Sequence, residues 1–500
     1  MRFQRPKGIS AGKKAATAPM EWRGARTTRA IMGDPKFLVF CGWLAVVFLC
    51  GGGSRADIQS LLFLRPAAVL VLAYGLSGLT LRQVKAHRFL FAFAAAMIAL
   101  LLLQLAPLPP GLWQLLPGRD IVVEVDRAAS LGEVWRPLSL APFATWNALW
   151  ALLVPLSVLV LGVQLTEAQL KRLIVLVLSL GLASALLALL QILGDSKGAL
   201  YFYRVTNNGG AVGLYANRNH QAVFLATLVP MLLVWLRLTP GHRERSREPR
   251  ARTHAWQRRQ RWLVPVAGIA FIVPLLLITG SRSGMVLFFV ALLSIPLITG
   301  GGSLQRSRGE DRARQDRLWR FAFLGGIAAM IVLTILLGRA TAVDRLLAPT
   351  ISDDLRVRIL PLVLSMIATY APWGTGAGTF EQVFRIHEPY ELLRPTYANH
   401  AHNDWLEVML TGGLPAVVLL LVAVAAFLRR AVRLAAPRAA RSEEGRVARL
   451  GLLIILLLGL ASVSDYPLRV PSLACLAVVA ALWAGMGRFD QVEEKPGTSD

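Results

Sequence analysis

TYANHAHNDWLEVMLTGGLPAV, residues 396–417, decides how this chain is read. Its first half is polar and carries His400 and His402. Its second half passes without a break into an apolar stretch reaching residue 428. A change that abrupt marks the mouth of a membrane span. His402 stands about one helical turn outside the apolar run. An imidazole there is wet enough to exchange protons and fixed enough to aim, as a general base must be. The other reading is a histidine that snorkels at the lipid interface.

Working outward, the same apolar signal recurs. Hydrophobic residues make up 55% of the 500 and charged residues only 17%, far from the balance of a soluble domain. The fold class is an all-α polytopic membrane protein. Spans are expected at 37–52, 66–81, 89–106, 146–165, 173–194, 219–236, 262–279, 284–300, 320–338, 408–428, 450–464 and 470–487. Residues 37–487 thus form a single transmembrane domain. The first 36 residues, basic and rich in Pro and Ala, read as a disordered N-terminal segment, and 488–500 as a tail. Without a small-residue cleavage site, the first apolar run reads as an uncleaved anchor.

Charge orients the spans. Alternate connections collect 38 of the 54 Lys and Arg with 14 acidic residues, and the remaining connections hold 16 basic and 15 acidic residues. Basic connections stay cytoplasmic, so both termini are expected inside. The net charge of +25 follows from topology and from attraction to anionic headgroups. Nucleic-acid binding is not needed to explain it. Cys41, Cys50 and Cys475 fall within spans, and neither a disulfide framework nor a zinc spacing is present. Without a Walker loop or a dinucleotide fingerprint, no cofactor is expected.

The outer connections gather the unusual residues. The longest, 339–407, is too long for an idle connection and reads as a functional loop. Within it, Leu355, Ile359, Leu362, Val363 and Met366 fall at helical spacing over 354–370, behind Asp353 and Asp354. That helix is expected to lie on or dip into the outer interface. Pro372 to Phe380 follows, with Gly374, Gly376 and Gly378 at alternate positions. It reads as a sharp turn back toward the membrane rather than as a phosphate-binding loop. A second long connection, 107–145, opens on Pro107 and is rich in turn formers.

Three further polar clusters lie at outer span ends. Asn217, Arg218, Asn219 and His220 open the sixth span, where the asparagines also suit a helix cap. Thr279 to Gly284 make the turn before the eighth span and contain Arg282, which has apolar helix on both sides. It reads either as an anion-binding group or as a guanidinium snorkelling to lipid phosphate. Asp465 and Arg469 stand four apart, a spacing that favours a mutual ion pair closing the last hairpin. A histidine ringed by arginines, here Arg218, Arg282 and Arg356, is the constellation that handles a diphosphate, because the guanidinium fork matches phosphate oxygens and is permanently charged. No acidic metal-ligand cluster accompanies these groups, so no metal is expected and the arginines would neutralise the phosphates.

The order of these motifs resembles the O-antigen ligase and polymerase superfamily. The likeness spans roughly 200–475. It comprises Gly213 to His220, Thr279 to Gly284, Arg356, the Pro372 to Phe380 turn, His402-Asn403 with Gly413, and Asp465 to Pro471. Pro107 to Pro110 and Trp135 to Ser139 add to it. Ala416 departs from it where Gly, Thr or Tyr is usual. The resemblance implies a bacterial inner-membrane glycosyltransferase with a periplasmic active site. Its donor would be an undecaprenyl-diphosphate-linked glycan and its acceptor lipid A–core, or another glycan repeat in a polymerase. It implies that His402 is catalytic and that Arg282, with Arg356 or Arg358, binds the diphosphate. Asn217, Arg218, Asn219, His220, Asn403, Asp465 and Arg469 would line the substrate site. The implied reaction is an inverting, metal-independent displacement. A polytopic transporter is the alternative of another class, and it predicts charges deep within several spans. A scaffold without activity leaves the clustered Arg and His unexplained.

Overall fold

The computed structural model describes residues 33–238, 251–299, 351–393, 398–436, 439 and 442–487. The ninth expected span, 320–338, and the first part of the long outer loop, 339–350, lie outside the described residues. So do the basic stretches 1–32, 239–250 and 300–319 and the tail 488–500.

Helix dominates the described chain. The first half contains α1 (Pro35–Cys50), α2 (Leu61–Ser77), α3 (Leu81–Ala86), α4 (Arg88–Leu105), α5 (Pro110–Trp113), α6 (Asp120–Ala128), α7 (Pro142–Ala151), α8 (Leu153–Gly162) and α9 (Glu167–Leu193). After it come α10 (Arg218–Leu238), α11 (Ala251–Ile278), α12 (Arg282–Thr299), α13 (Ile351–Tyr370), α14 (Phe380–His387), α15 (Asp404–Ala435), α16 (Glu443–Ala461) and α17 (Pro471–Gly485). Each expected span within the described residues is met by helix, with ends displaced by several residues. Among the described residues, α4, α7 with α8, α9, α10 and α15 are long and apolar enough to cross a membrane.

Local chemistry sets many of the ends. Thr80 with Gln83, and Thr166 with Gln169, form reciprocal capping boxes. Pro35, Pro142 and Pro471 occupy first turns, where a missing N–H costs nothing. Glycines let the bundle close. A Cβ on Gly181 of α9 would lie 2.4 Å from Leu228 of α10, and one on Gly451 of α16 would lie 2.3 Å from the Ala480 carbonyl of α17. The main core joins α1, α2, α8 to α12, α16 and α17.

Connections predicted to share a side meet one another. On the predicted outer side, Ala216 N–H donates to the Gly52 carbonyl (3.0 Å) and Arg204 pairs with Asp57 (3.2 Å). On the other side, Lys36 Nζ donates to Gln164 (2.8 Å), and Lys171 bridges Glu443 and Glu444.

Helix α13 begins at Ile351, so Asp353 and Asp354 fall inside its first turn rather than before it. Its buried face, Ile359, Val363, Met366 and Tyr370, packs on Phe380, Val383 and Phe384 of α14 and on Leu392, Ala401 and Leu410. The helix is thus the floor of a small second core.

The segment 107–145 is folded over this core. Strands β1 (Pro107–Leu108) and β2 (Arg136–Pro137) pair antiparallel. Arg136 pairs with Asp126, and buried Trp113 donates its indole N–H to the Val134 carbonyl.

Candidate functional site

The site is built at the N-terminal end of α15, and the device that shapes this helix lies within it. Gly413 has φ 58° and ψ −158°, which breaks the helical ladder inside α15. Only glycine adopts that conformation freely. A Cβ there would lie 2.3 Å from the Pro372 carbonyl oxygen. The glycine turn 372–378 fills the break. Thr375 N–H donates to Leu410 O (3.0 Å), Gly376 N–H to Thr411 O (2.9 Å), and Leu414 N–H to Pro372 O (2.7 Å). Gly374, Gly376 and Gly378 all have positive φ, within the irregular backbone that alternate glycines permit. The buried amide of Gln104 on α4 locks the join, donating to Thr411 O (3.0 Å) and accepting from Ala377 N–H (2.8 Å). The turn is therefore held by pairing with a broken helix.

Asn403 caps α15, its side chain accepting from Leu406 N–H (3.1 Å). His402, just ahead of the cap, has φ 51°, a left-handed conformation that costs a non-glycine residue about 1–2 kcal/mol. Its ring is partly exposed, at 21%. Nδ1 lies 3.6 Å from Asp465 Oδ1 and 3.5 Å from Arg356 Nη2. Asp465 is buried, and Asn219 Nδ2 donates to its Oδ2 at 2.8 Å. Burial alone would raise the Asp465 carboxyl. The His402 hydrogen bond, then the interactions with the His220, His402 and Arg356 side chains, overcome this and hold it well below the usual carboxylate range.

Tyr466 organises the histidines. Its ring lies 5.3 Å from His220, 4.4 Å from His400 and 5.0 Å from His402. Burial, then the Asp465 charge, pushes its phenol upward, and the side chains of Asn399 and Asn217 bond to it. Asn217 also accepts from Asn219 N–H (2.9 Å), so it caps α10.

The two arginines of α13 diverge. Residues two apart on a helix point about 200° apart. Arg356 reaches His402, whereas exposed Arg358 donates to the Glu391 carbonyl at 3.4 Å. Arg218 and Arg282 open α10 and α12, which touch closely. A Cβ on Gly284 would lie 2.4 Å from that of Ala222, and one on Gly280 3.9 Å from Arg218 Nη1. The turn that carries Arg282 therefore lies beside the first turn of α10, where Arg218 stands. Ser281 caps α12 by accepting from Gly284 N–H (3.1 Å).

The ion pair expected between Asp465 and Arg469 is not made. Arg469 Nε donates to Asp404 Oδ1 (2.7 Å), and its Nη2 lies 3.1 Å from Glu407 Oε1. The reason is geometric. Pro467–Arg469 is a 3₁₀ turn, not an α-helical one, so residues 465 and 469 do not share a face. Two buried carboxylates on the first turns of α15 claim the guanidinium instead. Burial would lower the Arg469 pKa, but Glu407 and then Asp404 carry it upward.

The sequence reading passed over Asp404, Glu407, Tyr466 and Gln104. His400 Nδ1 lies 3.0 Å from Glu407 Oε1, so the second histidine belongs to this buried ionic cluster. The available signal was two acids at i and i+3 opening an apolar span, where ionisable groups are expensive.

Residues 267–421 match the family model described as O-antigen ligase. Over those residues the chain is similar to the O-antigen ligase superfamily. Comparison of the whole chain with curated proteins gives no match. The O-antigen ligase match contains Arg282, Arg356, Arg358, His402, Asn403 and Gly413. Asn217 to His220 and Asp465 to Arg469 lie outside it, and folding brings Asn217, Asn219, His220 and Asp465 to His402 and Tyr466. Proteins of this family are glycosyltransferase-like enzymes of surface polysaccharide synthesis, and the apolar helices agree with a membrane protein.

Proposed function

We propose that this chain transfers a glycan from undecaprenyl diphosphate to an acceptor hydroxyl at the periplasmic face of the bacterial inner membrane. One observation carries the reading: a partly exposed histidine, His402, is held between a buried carboxylate and an arginine. Ionised Asp465 can only accept, so Nδ1 carries the proton where it faces Asp465. Nε2 is then the free base. It removes the acceptor hydroxyl proton, and the oxygen attacks the anomeric carbon. The bond from that carbon to the diphosphate oxygen breaks, and its electron pair leaves with the phosphate. A single displacement of this kind inverts the anomeric centre.

Arg356 Nη2 lies 3.5 Å from His402 Nδ1; with that nitrogen protonated the approach is a close contact rather than a hydrogen bond, and it places the guanidinium to turn to phosphate oxygens. With Arg282 it would stabilise the charge developing on the leaving diphosphate. The carboxylates of Asp465, Asp404 and Glu407 are each engaged. Asp465 is held by Asn219, and Asp404 and Glu407 by Arg469. The reading therefore assigns diphosphate neutralisation to arginine rather than to a divalent ion.

We take lipid A–core as the acceptor and O-antigen as the donor, with repeat-unit polymerisation as the alternative of the same chemistry. The test is a deletion strain. Free lipid A–core beside intact polymer on a gel supports the ligase, whereas core capped by one repeat shows a polymerase. Unchanged surface glycan overturns both. In the purified enzyme, His402→Ala should cut transfer by about 10²–10⁴, and near-normal activity would remove His402 from the chemistry.

A further inference from the structure

His220 is a buried imidazole that this mechanism does not use. It is 1% exposed, and neither ring nitrogen has a hydrogen-bond partner among the described residues. Such a group is costly in a protein interior, and an apolar side chain would fill the place more cheaply. Its surroundings show what it faces. The ring meets Tyr466 edge-on at 75°, and Nε2 lies 3.8 Å from Asp465 Oδ1. That oxygen also accepts Tyr466 N–H at 3.0 Å and lies 3.6 Å from His402 Nδ1. The other oxygen is taken by Asn219. Neighbouring residues on the first turn of α10 thus address the two oxygens of one carboxylate.

We infer that His220 is a positioning residue whose Nε2–H is a second side-chain donor to Asp465, fixing the carboxylate so that it selects the Nδ1–H tautomer of His402. The inference rests on the reading of His402 as base. At 3.8 Å the contact is electrostatic, and it shortens to a hydrogen bond as the site tightens around substrate. With both oxygens held, Asp465 cannot rotate away, and His402 keeps Nε2 unprotonated toward the acceptor. Without His220 the carboxylate keeps Asn219 and the Tyr466 N–H but loses the side-chain donor that faces Oδ1 from α10, so its hold on the Nδ1–H form weakens and His402 divides between two tautomers.

Two measurements on the full-length protein in lipid nanodiscs test this. ¹⁵N NMR of histidine-labelled protein reads the tautomers directly. We expect a neutral His220 carrying Nε2–H and a His402 carrying Nδ1–H. His220→Gln, which retains a donor at the same reach, should keep the His402 signal, and His220→Phe should replace it with a mixture. The second measurement is transfer from undecaprenyl-diphosphate-linked O-antigen to lipid A–core. The Gln variant should stay near wild type. The Phe variant should lose about tenfold or more in kcat at nearly constant KM, the effect of one net hydrogen bond. A Phe variant with unchanged tautomer and rate overturns the inference. So does an equal loss in both variants together with a fall in melting temperature, which is the mark of packing alone. If wild type transfers no glycan, the transferase reading fails by itself, and the NMR result still decides the role of His220.

Discussion

At the scale of single residues, chemistry was legible and partnership was not. His402, Arg282 and Arg356 stand out in the sequence because ionisable groups beside apolar runs are expensive. The partners of Asp465 and Arg469 could not be read, because they lie on other helices. Asp465 reaches back 246 positions to Asn219, and Arg469 reaches back 65 to Asp404. The same geometry separates the two histidines. His400 is tied to Glu407, whereas His402 is partly exposed beside Asp465, so His400→Ala should lower transfer far less than His402→Ala in the same assay. Equal losses would place the base elsewhere. Arg356 and Arg358 are likewise separable, and activity should fall with Arg356→Ala and hold with Arg358→Ala. For Arg282, lysine keeps the charge but loses the fork. Arg282→Lys should lose most activity and about 1.5–3 kcal/mol of donor binding. A fully active Lys variant would make Arg282 a lipid anchor. If arginines alone neutralise the diphosphate, transfer should continue in excess chelator, and a rate restored only by Mg²⁺ or Mn²⁺ would overturn that assignment. Acid should act through Asp465. Its carboxyl is held below the ordinary value of 3.8, so its contribution to stability is present above that value and fades as pH falls through the folded one. The stability gap between wild type and Asp465→Asn should therefore shrink on acidification below about pH 4.

At the scale of elements, the sequence announced the spans and the glycine turn but not their union. Alternating glycines at 374, 376 and 378 showed that the backbone there can turn tightly and irregularly. Nothing in their spacing said that a helix broken at Gly413 supplies the carbonyls they bind. That join holds together α4, the turn and α15, and α15 carries His402 at its mouth. Gly413→Ala must strain φ 58° and place a Cβ 2.3 Å from a backbone oxygen. It should lower the melting temperature in detergent by an amount equivalent to about 1–3 kcal/mol, and transfer with it. Gln104→Leu leaves the Thr411 carbonyl and the Ala377 N–H without their side-chain partner, and should act in the same direction. Gly42 in α1 has open space where a Cβ would stand, so Gly42→Ala should be neutral or slightly stabilising. If the three substitutions prove alike, the break in α15 is not what holds this end of the bundle.

At the scale of the molecule, counting charges along connections divided the chain into two sides before any contact was known. The structure supplies an independent relation, because connections assigned to one side touch each other. Asp57 with Arg204 belongs to one set, and Lys171 with Glu443 and Glu444 to the other. The division rests on the tendency of positive connections to resist translocation whatever their tertiary contacts. Packing of segment 107–145 over α13 and the glycine turn was unreadable, because turn-rich sequence gives no period to follow. Sidedness can be measured directly. With Cys41, Cys50 and Cys475 changed to Ser, single cysteines at Arg204 and at Arg433 report the two predicted sides. A membrane-impermeant maleimide on intact spheroplasts should label Arg204→Cys and leave Arg433→Cys until the membrane is permeabilised. The opposite pattern would put His402 on the cytoplasmic side, where a periplasmic acceptor cannot reach it. Labelling of both from outside would mean that the charge division does not describe this chain's path through the bilayer.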